Sequence, residues 1–307
     1  MTIASIDIGS NTILLLIAEY NRNQSLLTPI LNIYRVPRIS ANLKNSQFIS
    51  DAKIIEMWNV LEEYNSIIRD YQCAKTLVVG TNALRIARNG SEIVNRIRKE
   101  FDWNVSIIDG NEEARLSFLG TYTHSADLQN YSVLDIGGGS TEIISGNRQQ
   151  IFFRKSYSIG VVALTEKYIK HNPPLKQEVE KLNEEIKLNI HELADSLLVN
   201  TDLVAVAGTP TTLSCINQGL RIYNDNLVDN SILTRNDILS ITEIISKMKS
   251  DEISKIYGKV VEGREDVLLA GCLVLQNFMN FLNIEKIMVS SRGLRYGVLL
   301  DYINRSK

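Results

Sequence analysis

The chain has 307 residues, with 33 Lys+Arg against 35 Asp+Glu, 17 Gly and 5 Pro. A formal charge of −2 supplies no overall field to gather nucleic acid or an anionic membrane, and 44% hydrophobic with 22% charged residues is too apolar for a disordered chain. The length suits about two domains; no signal-peptide pattern opens it and no run nears the roughly 18 apolar residues that span a bilayer, so a cytoplasmic protein without membrane insertion is expected.

In chain order, residues 3–8 and 12–19 read as two strands joined by Gly9-Ser10-Asn11, because apolar and β-branched runs flank a turn tolerant of unusual dihedrals. Ser50 offers an N-cap to a helix over 51–71, where Ile54, Trp58, Leu61 and Ile68 keep helical spacing. A strand at 76–79, a helix at 91–101, a strand at 105–108 and a helix from Asn111 to Leu119 follow. Residues 121–130 lack an apolar period, which places a domain boundary there. Strands at 132–136, 141–145 and 150–156 come next, then helices at 161–170 and 175–198. The remainder reads as strand 202–207, helices 211–218, 236–249 and 264–282, strand 286–290 and a last helix from 294.

The second half begins as the first does: Ser5-Ile6-Asp7-Ile8-Gly9 aligns with Leu134-Asp135-Ile136-Gly137. Such a duplication predicts two α/β domains of related topology, over 1–125 and 126–307, with the final helix free to pack back on the first. The cleft between them is the natural ligand site.

Cys73, Cys215 and Cys272 are far apart and form no CxxC pair, as buried thiols in a reducing compartment do. His124, His171 and His191 form no metal-binding pattern.

Three glycine turns carry the chemistry. In Asp135-Ile136-Gly137-Gly138-Gly139-Ser140-Thr141, a glycine run at a strand end implies positive φ or a close approach. Successive N–H groups there form a concavity for phosphate, and the preceding Asp can hold Mg²⁺. A tight hairpin is the plain alternative. Asp7-Ile8-Gly9-Ser10-Asn11-Thr12 repeats the chemistry. Gly208 and Thr209 open a helix after a strand, where free N–H groups meet anions. Three such turns in equivalent places favour phosphate binding over three chance hairpins. No Walker A or GxGxxG occurs.

Asn111-Glu112-Glu113-Ala114-Arg115 reads as a capped helix start whose acids answer the helix dipole; alternatively, one of the two carboxylates is a general base for water. Arg85, Arg292 and Arg295, in runs just after strands, suit phosphate clamps because guanidinium binds phosphate bidentately; simple surface solvation is the equal alternative for any one of them. A polyanion would also need a basic lining, for which Arg35, Arg38, Arg154, Lys155, Lys167 and Arg264 are candidates.

On these stretches the chain resembles the Ppx/GppA phosphatases, the exopolyphosphatase and guanosine pentaphosphate phosphohydrolase family. IDIGSNTILLLIAE, GTNALRIARNG, DGNEEARLSFLG, LDIGGGSTEI, SIGVVALTE, VAGTPTTL and SSRGLRYGVL occur in family order from residue 6 to about 299. The resemblance implies two ribonuclease-H-like domains of the actin/heat-shock-chaperone/sugar-kinase superfold with an interdomain cleft. It implies Mg²⁺-dependent release (Mn²⁺ being the alternative ion) of terminal phosphate from inorganic polyphosphate or pppGpp. The catalytic carboxylate falls on Glu113 and the family arginine on Arg85. The acids around the triple glycine fall on Asp135 and Glu142, with Asp7 as a further metal ligand.

Two departures stand out: the family's Leu-Gly-x-Gly loop reads Ile39-Ser40-Ala41-Asn42 here, and its His-Gly appears as Asp229-Asn230. The chain also reads as a short form without the HD-like region of longer members, and a homodimer is compatible with it. The expected mechanism has Glu113 deprotonating water, Arg85 stabilising the equatorial oxygens, and Gly9 to Thr12, Gly137 to Ser140, Gly208 and Thr209 cradling phosphate, with Arg292 clamping it. A phosphotransferase of the same superfold and a non-catalytic guanosine tetra- or pentaphosphate sensor are the rival readings.

Overall fold

The computed structural model describes residues 1–21, 26–121, 130–147, 149–191 and 202–305. The chain divides into two compact units: Met1–Gly120 with Leu294–Lys307, and Thr121–Gly293. Residues 122–129, where the sequence places a boundary, and 192–201, the end of the expected 175–198 helix, lie outside the described residues.

In the first unit β1 (Thr2–Ile8), β2 (Ile13–Asn21) and β3 (Leu26–Arg35) are followed by α1 (Leu43–Ser46) and α2 (Asp51–Asp70). Then come β4 (Lys75–Gly80), α3 (Asn82–Ile86), α4 (Gly90–Phe101), β5 (Val105–Ile107) and α5 (Gly110–Thr121). The sheet order is β3-β2-β1-β4-β5. β1, β2 and β3 run antiparallel, while β1, β4 and β5 run parallel. Antiparallel hairpins followed by parallel crossovers are the ribonuclease-H-like arrangement. The strands of the middle of the sheet are buried on both faces, hence their near-continuous apolar runs.

β3 was not foreseen. It pairs with β2 over its whole length as the sheet edge, contains Pro29, and apart from the buried Leu27 has only exposed and half-buried positions. An edge tolerates the missing donor of proline, and the same features hide the strand from an apolar-run reading.

The second unit repeats the plan. β6 (Tyr131–Ile136), β7 (Thr141–Gly146) and β8 (Ile151–Tyr157) precede α6 (Val161–Tyr168), α7 (Lys176–Ile190), β9 (Asp202–Val206) and α8 (Gly208–Asn217). α9 (Asp225–Val228), β10 (Ile232–Thr234), α10 (Arg235–Ile245), α11 (Ser250–Tyr257), α12 (Leu268–Phe281) and β11 (Lys286–Val289) complete it. The order β10-β11-β9-β6-β7-β8 repeats the five-strand order of the first sheet in β8-β7-β6-β9-β11, with β10 added antiparallel to β11. α12 is the central helix: residues Leu268 to Met279 are buried throughout, and Leu275 and Phe278 join one continuous core with Leu134, Ile143 and Leu213. A helix apolar all round is expected at such a position.

α13 (Leu294–Arg305) closes the first unit. Its Tyr296, Leu299 and Ile303 pack with Ile3, Leu16 and Ala18. The backbone carbonyl of Arg295 accepts a hydrogen bond from Ser5 Oγ at 3.0 Å. At Gly297 a Cβ would lie 1.8 Å from the carbonyl oxygen of Leu116, so α13 and α5 meet at backbone distance.

Candidate active site

In each unit the candidate residues rise from one edge of the sheet, the carboxyl ends of the parallel strands, where open α/β sheets bind ligands. In the first unit, Ile8 pairs with Gly80 across β1 and β4. Thr81 N donates to Ile8 O at 3.3 Å and Ile108 N to Gly80 O at 3.0 Å. The Gly9 turn, α3 with Arg85 and α5 with Glu113 therefore start side by side.

The turn from Gly9 to Thr12 is closed by Gly9 N donating to Thr12 O at 3.1 Å. A Cβ on Gly9 would meet that oxygen at 2.9 Å. In the second unit Gly137 N donates to Ser140 O at 3.0 Å, and a Cβ on Gly137 would again meet an oxygen at 2.9 Å. The two Asp-x-Gly turns are thus one structure built twice. Glycine is needed at both first positions for want of space, not for a positive φ.

The triple glycine has a structural partner. Val161 N donates to Gly137 O at 3.0 Å and Val162 N to Gly138 O at 2.9 Å, so the turn supplies acceptors for the free N–H groups of α6. A Cβ on Gly160 would lie 2.2 Å from the carbonyl carbon of Gly139. The close approach expected of the glycine run is therefore made, at least on one side, to α6. Gly138 and Gly139 are partly exposed, whereas Ser140 is buried.

Asp135 stands directly opposite Glu142 across β6 and β7, so both carboxylates share one face. Glu142 is fully buried and accepts a hydrogen bond from Ser156 Oγ at 2.6 Å. Asp7 holds the equivalent place in the first unit, facing Leu14. Among the described residues no group of three or more His, Cys, Asp or Glu could hold a metal ion. One or two carboxylates, completed by water and substrate oxygens, is nonetheless the way Mg²⁺ is commonly held, and Asp135 with Glu142 fits that donor set.

The two acids opening α5 are sharply different. Glu112 is locked: Arg115 donates to it through Nε at 2.8 Å and Nη2 at 2.7 Å, and the same Nη2 reaches Asp301 of α13 at 2.8 Å. The Arg115 hydrogen bonds hold the Glu112 carboxyl below its ordinary range. Glu113 is 8% exposed, and its Oε2 lies 3.6 Å from Nη1 of Arg85. Arg85 also donates through Nη1 to the carbonyl of Ile108, at the end of β5. Glu112 thus serves the fold, and Glu113 is the carboxylate beside an arginine at the sheet edge.

α8 begins at Gly208, three residues before the expected start, and Ala207 before it takes φ 76°, a sparsely populated conformation for a residue with a side chain. Thr209 is buried, and a Cβ on Gly271 of α12 would touch its hydroxyl at 2.2 Å. Its side chain packs inward, and what Thr209 offers an anion is its backbone N–H. The guanidinium of Arg264 lies over Gly208, with Nε 2.7 Å from where a Cβ would be. Of the candidate basic residues, Arg264 is the one placed at a helix N-terminus; only the fold brings the two segments together.

Arg292, Arg295, Arg35 and Lys167 are engaged. Nε of Arg292 sits 3.6 Å from Asp229, which also accepts from Ser291 N at 2.9 Å and Ser290 Oγ at 3.1 Å. Asp229, at the altered Asp229-Asn230 position, thereby orders the loop that carries Arg292. Arg295 donates to Asn32, Arg35 pairs with Glu63, and Lys167 with Glu185 at 3.2 Å.

Two ribonuclease-H-like units, each opening on the same Asp-x-Gly turn, define an α/β protein of the actin-like class. The model of the Ppx/GppA phosphatase family matches residues 16–306, and the chain belongs to that family. It is 30% identical over 311 residues to a bifunctional 3-dehydroquinate synthase/phosphatase of Fusobacterium nucleatum, covering 97% of this chain but 46% of that protein. Exopolyphosphatase 1 of Mycobacterium tuberculosis is 28% identical over 98% of this chain and 88% of its own length. The crystal structure of the Aquifex aeolicus Ppx/GppA family member superposes with a TM-score of 0.84 at 29% identity, over 100% of this chain and 99% of that one. Among the described residues no helix is long and apolar enough to cross a membrane.

Proposed function

We propose that the chain hydrolyses the terminal phosphoanhydride bond of inorganic polyphosphate or of pppGpp. The observation that carries this reading is the division of labour on α5: Glu112 is bound by Arg115, while Glu113 stays buried next to Arg85. Glu113 accepts a proton from water as the water oxygen attacks the terminal phosphorus. The bridging P–O bond breaks, releasing orthophosphate and the shortened substrate. Arg85, oriented by the Ile108 carbonyl, stabilises charge on the equatorial oxygens. The N–H groups of the Gly9–Thr12 and Gly137–Ser140 turns and of Gly208 and Thr209 hold phosphate oxygens, with Arg264 and Arg292 adding cationic charge. Asp135 and Glu142, with Asp7 as the corresponding acid of the first unit, would hold Mg²⁺, which supplies charge neutralisation when bound. Catalysis of this kind is positioning and electrostatics.

Three free thiols, two of them buried, suit a cytoplasmic setting. Phosphate release from long polyphosphate, tripolyphosphate and pppGpp, compared side by side with Mg²⁺, tests the proposal. Release from at least one is expected, and release from none overturns it.

A further inference from the structure

The loop after β3 is joined to the Gly9–Thr12 turn. Arg38 N donates to Asn11 O and Ser40 N to Ser10 O, both at 3.0 Å. Two further bonds fold the loop on itself, from Ala41 N to Arg38 O at 3.0 Å and from Leu43 N to Ser40 O at 2.9 Å. Residues 38–40 and 10–11 are therefore one backbone assembly within the first unit.

Its side chains are polar and enclosed. Ser10 is 4%, Asn11 7% and Ser40 8% exposed. Ser10 Oγ, Asn11 Oδ1 and Ser40 Oγ are each buried with no hydrogen-bond partner among the described residues. Buried hydroxyls are almost always satisfied, since leaving one unmade is costly. Three such atoms on three contiguous or hydrogen-bonded residues point to a shared ligand. Two hydroxyls donate to anionic oxygens, and the Asn11 carboxamide, whose O and N ends are interchangeable in orientation, adds a third donor.

The two changes in the Ile39-Ser40-Ala41-Asn42 loop differ in kind. Asn42 has φ 57°, the left-handed region that Asn tolerates better than other side chains, so it keeps a glycine's backbone. Ser40 is not in that region, so serine adds a hydroxyl there without backbone strain.

We infer that Ser40 is a substrate-binding residue, its hydroxyl extending the phosphate cradle of Ser10 and Asn11 to one more phosphate oxygen. This rests on the proposed phosphate role of the Gly9–Thr12 turn. A hydrogen bond to a charged oxygen is the stronger kind, so its loss weakens binding about tenfold or more.

Titration calorimetry with tripolyphosphate and Mg²⁺ on the unaltered protein, Ser40→Ala and Ser40→Gly tests this, with thermal unfolding of each without ligand. The expected result is about tenfold weaker binding in both variants, with the ligand-free melting temperature of Ser40→Ala unchanged or raised. Unchanged affinity in the variants overturns this proposal alone. A lower ligand-free melting temperature with unchanged affinity does so too, and assigns the hydroxyl to a structural water. No binding by the unaltered protein overturns the phosphate reading of the turn and this proposal with it.

Discussion

Nη1 of Arg85 lies 3.6 Å from Oε2 of Glu113, with the same nitrogen held by the carbonyl of Ile108. The pair ties α3 to α5 at the carboxyl edge of the first sheet. The guanidinium is thus fixed before any substrate arrives, which is the condition for stabilising charge that develops in a transition state. Arg85→Lys keeps the charge but loses the fork. Turnover of the variant is expected to fall about 10²-fold, measured as steady-state phosphate release. Wild-type turnover in Arg85→Lys removes the fork from the mechanism.

Glu112 and Glu113 are adjacent yet differently partnered, one by Arg115 and the other by Arg85. Glu112→Gln is expected to retain most of the turnover while weakening the link from α5 to Asp301 of α13. The Arg115 hydrogen bonds lower the folded-state pKa of Glu112 from its ordinary 4.5. A depressed carboxylate pKa contributes stability above the unfolded value and loses it as pH falls through the folded value. Melting temperatures from pH 6 down to pH 3 should therefore fall less steeply in Glu112→Gln than in the unaltered protein. Parallel curves would show that the pair contributes nothing to acid sensitivity.

Gly160 is needed because α6 begins on the backbone of Gly138 and Gly139. Gly160→Ala places a methyl group against fixed backbone. Overpacking of this kind costs about 1–3 kcal/mol, to be read from urea unfolding. Because the same contact shapes the turn, affinity for tripolyphosphate should fall in parallel. A loss of stability with full affinity would separate the α6 contact from the phosphate role of the turn.

Asp135 and Glu142 face each other across β6 and β7. If they hold Mg²⁺, Asp135→Asn and Glu142→Gln raise the Mg²⁺ concentration for half-maximal activity by about tenfold or more. Chelation should abolish activity and added Mg²⁺ restore it. An unchanged Mg²⁺ requirement in both variants assigns the ion elsewhere.

Much of this was legible in the chain. The repeat of Asp7-Ile8-Gly9 in Asp135-Ile136-Gly137 predicted two similar units, and both turns close with the same bond. Apolar runs marked β1, β2 and β6 because buried strands of a mixed sheet need them. β3 escaped because its edge position permits Pro29 and exposed residues. The sequence leaves the final helix free to pack back on the first unit but not bound to do so, because Tyr296, Leu299 and Ile303 suit any core, and only packing decides which. At the site, residue types were readable but partners were not. Glu112 and Glu113 are alike in sequence, and the partners the fold supplies, Arg115 for one and Arg85 for the other, separate them. The sequence offers Arg292 as a phosphate clamp or a solvated surface arginine, and neither reading contains Asp229, distant in sequence, which the fold brings beside it. The glycine run suggests room for a phosphate, and α6 occupies part of that room.

The central claim is that Glu113 activates water. Phosphate release and tripolyphosphate affinity measured together on Glu113→Gln test it most directly. The variant is nearly isosteric and keeps the carbonyl oxygen but not the base. Loss of a positioned base predicts turnover lower by about 10²–10⁴-fold, with affinity close to that of the unaltered protein. Wild-type turnover in Glu113→Gln would contradict the account.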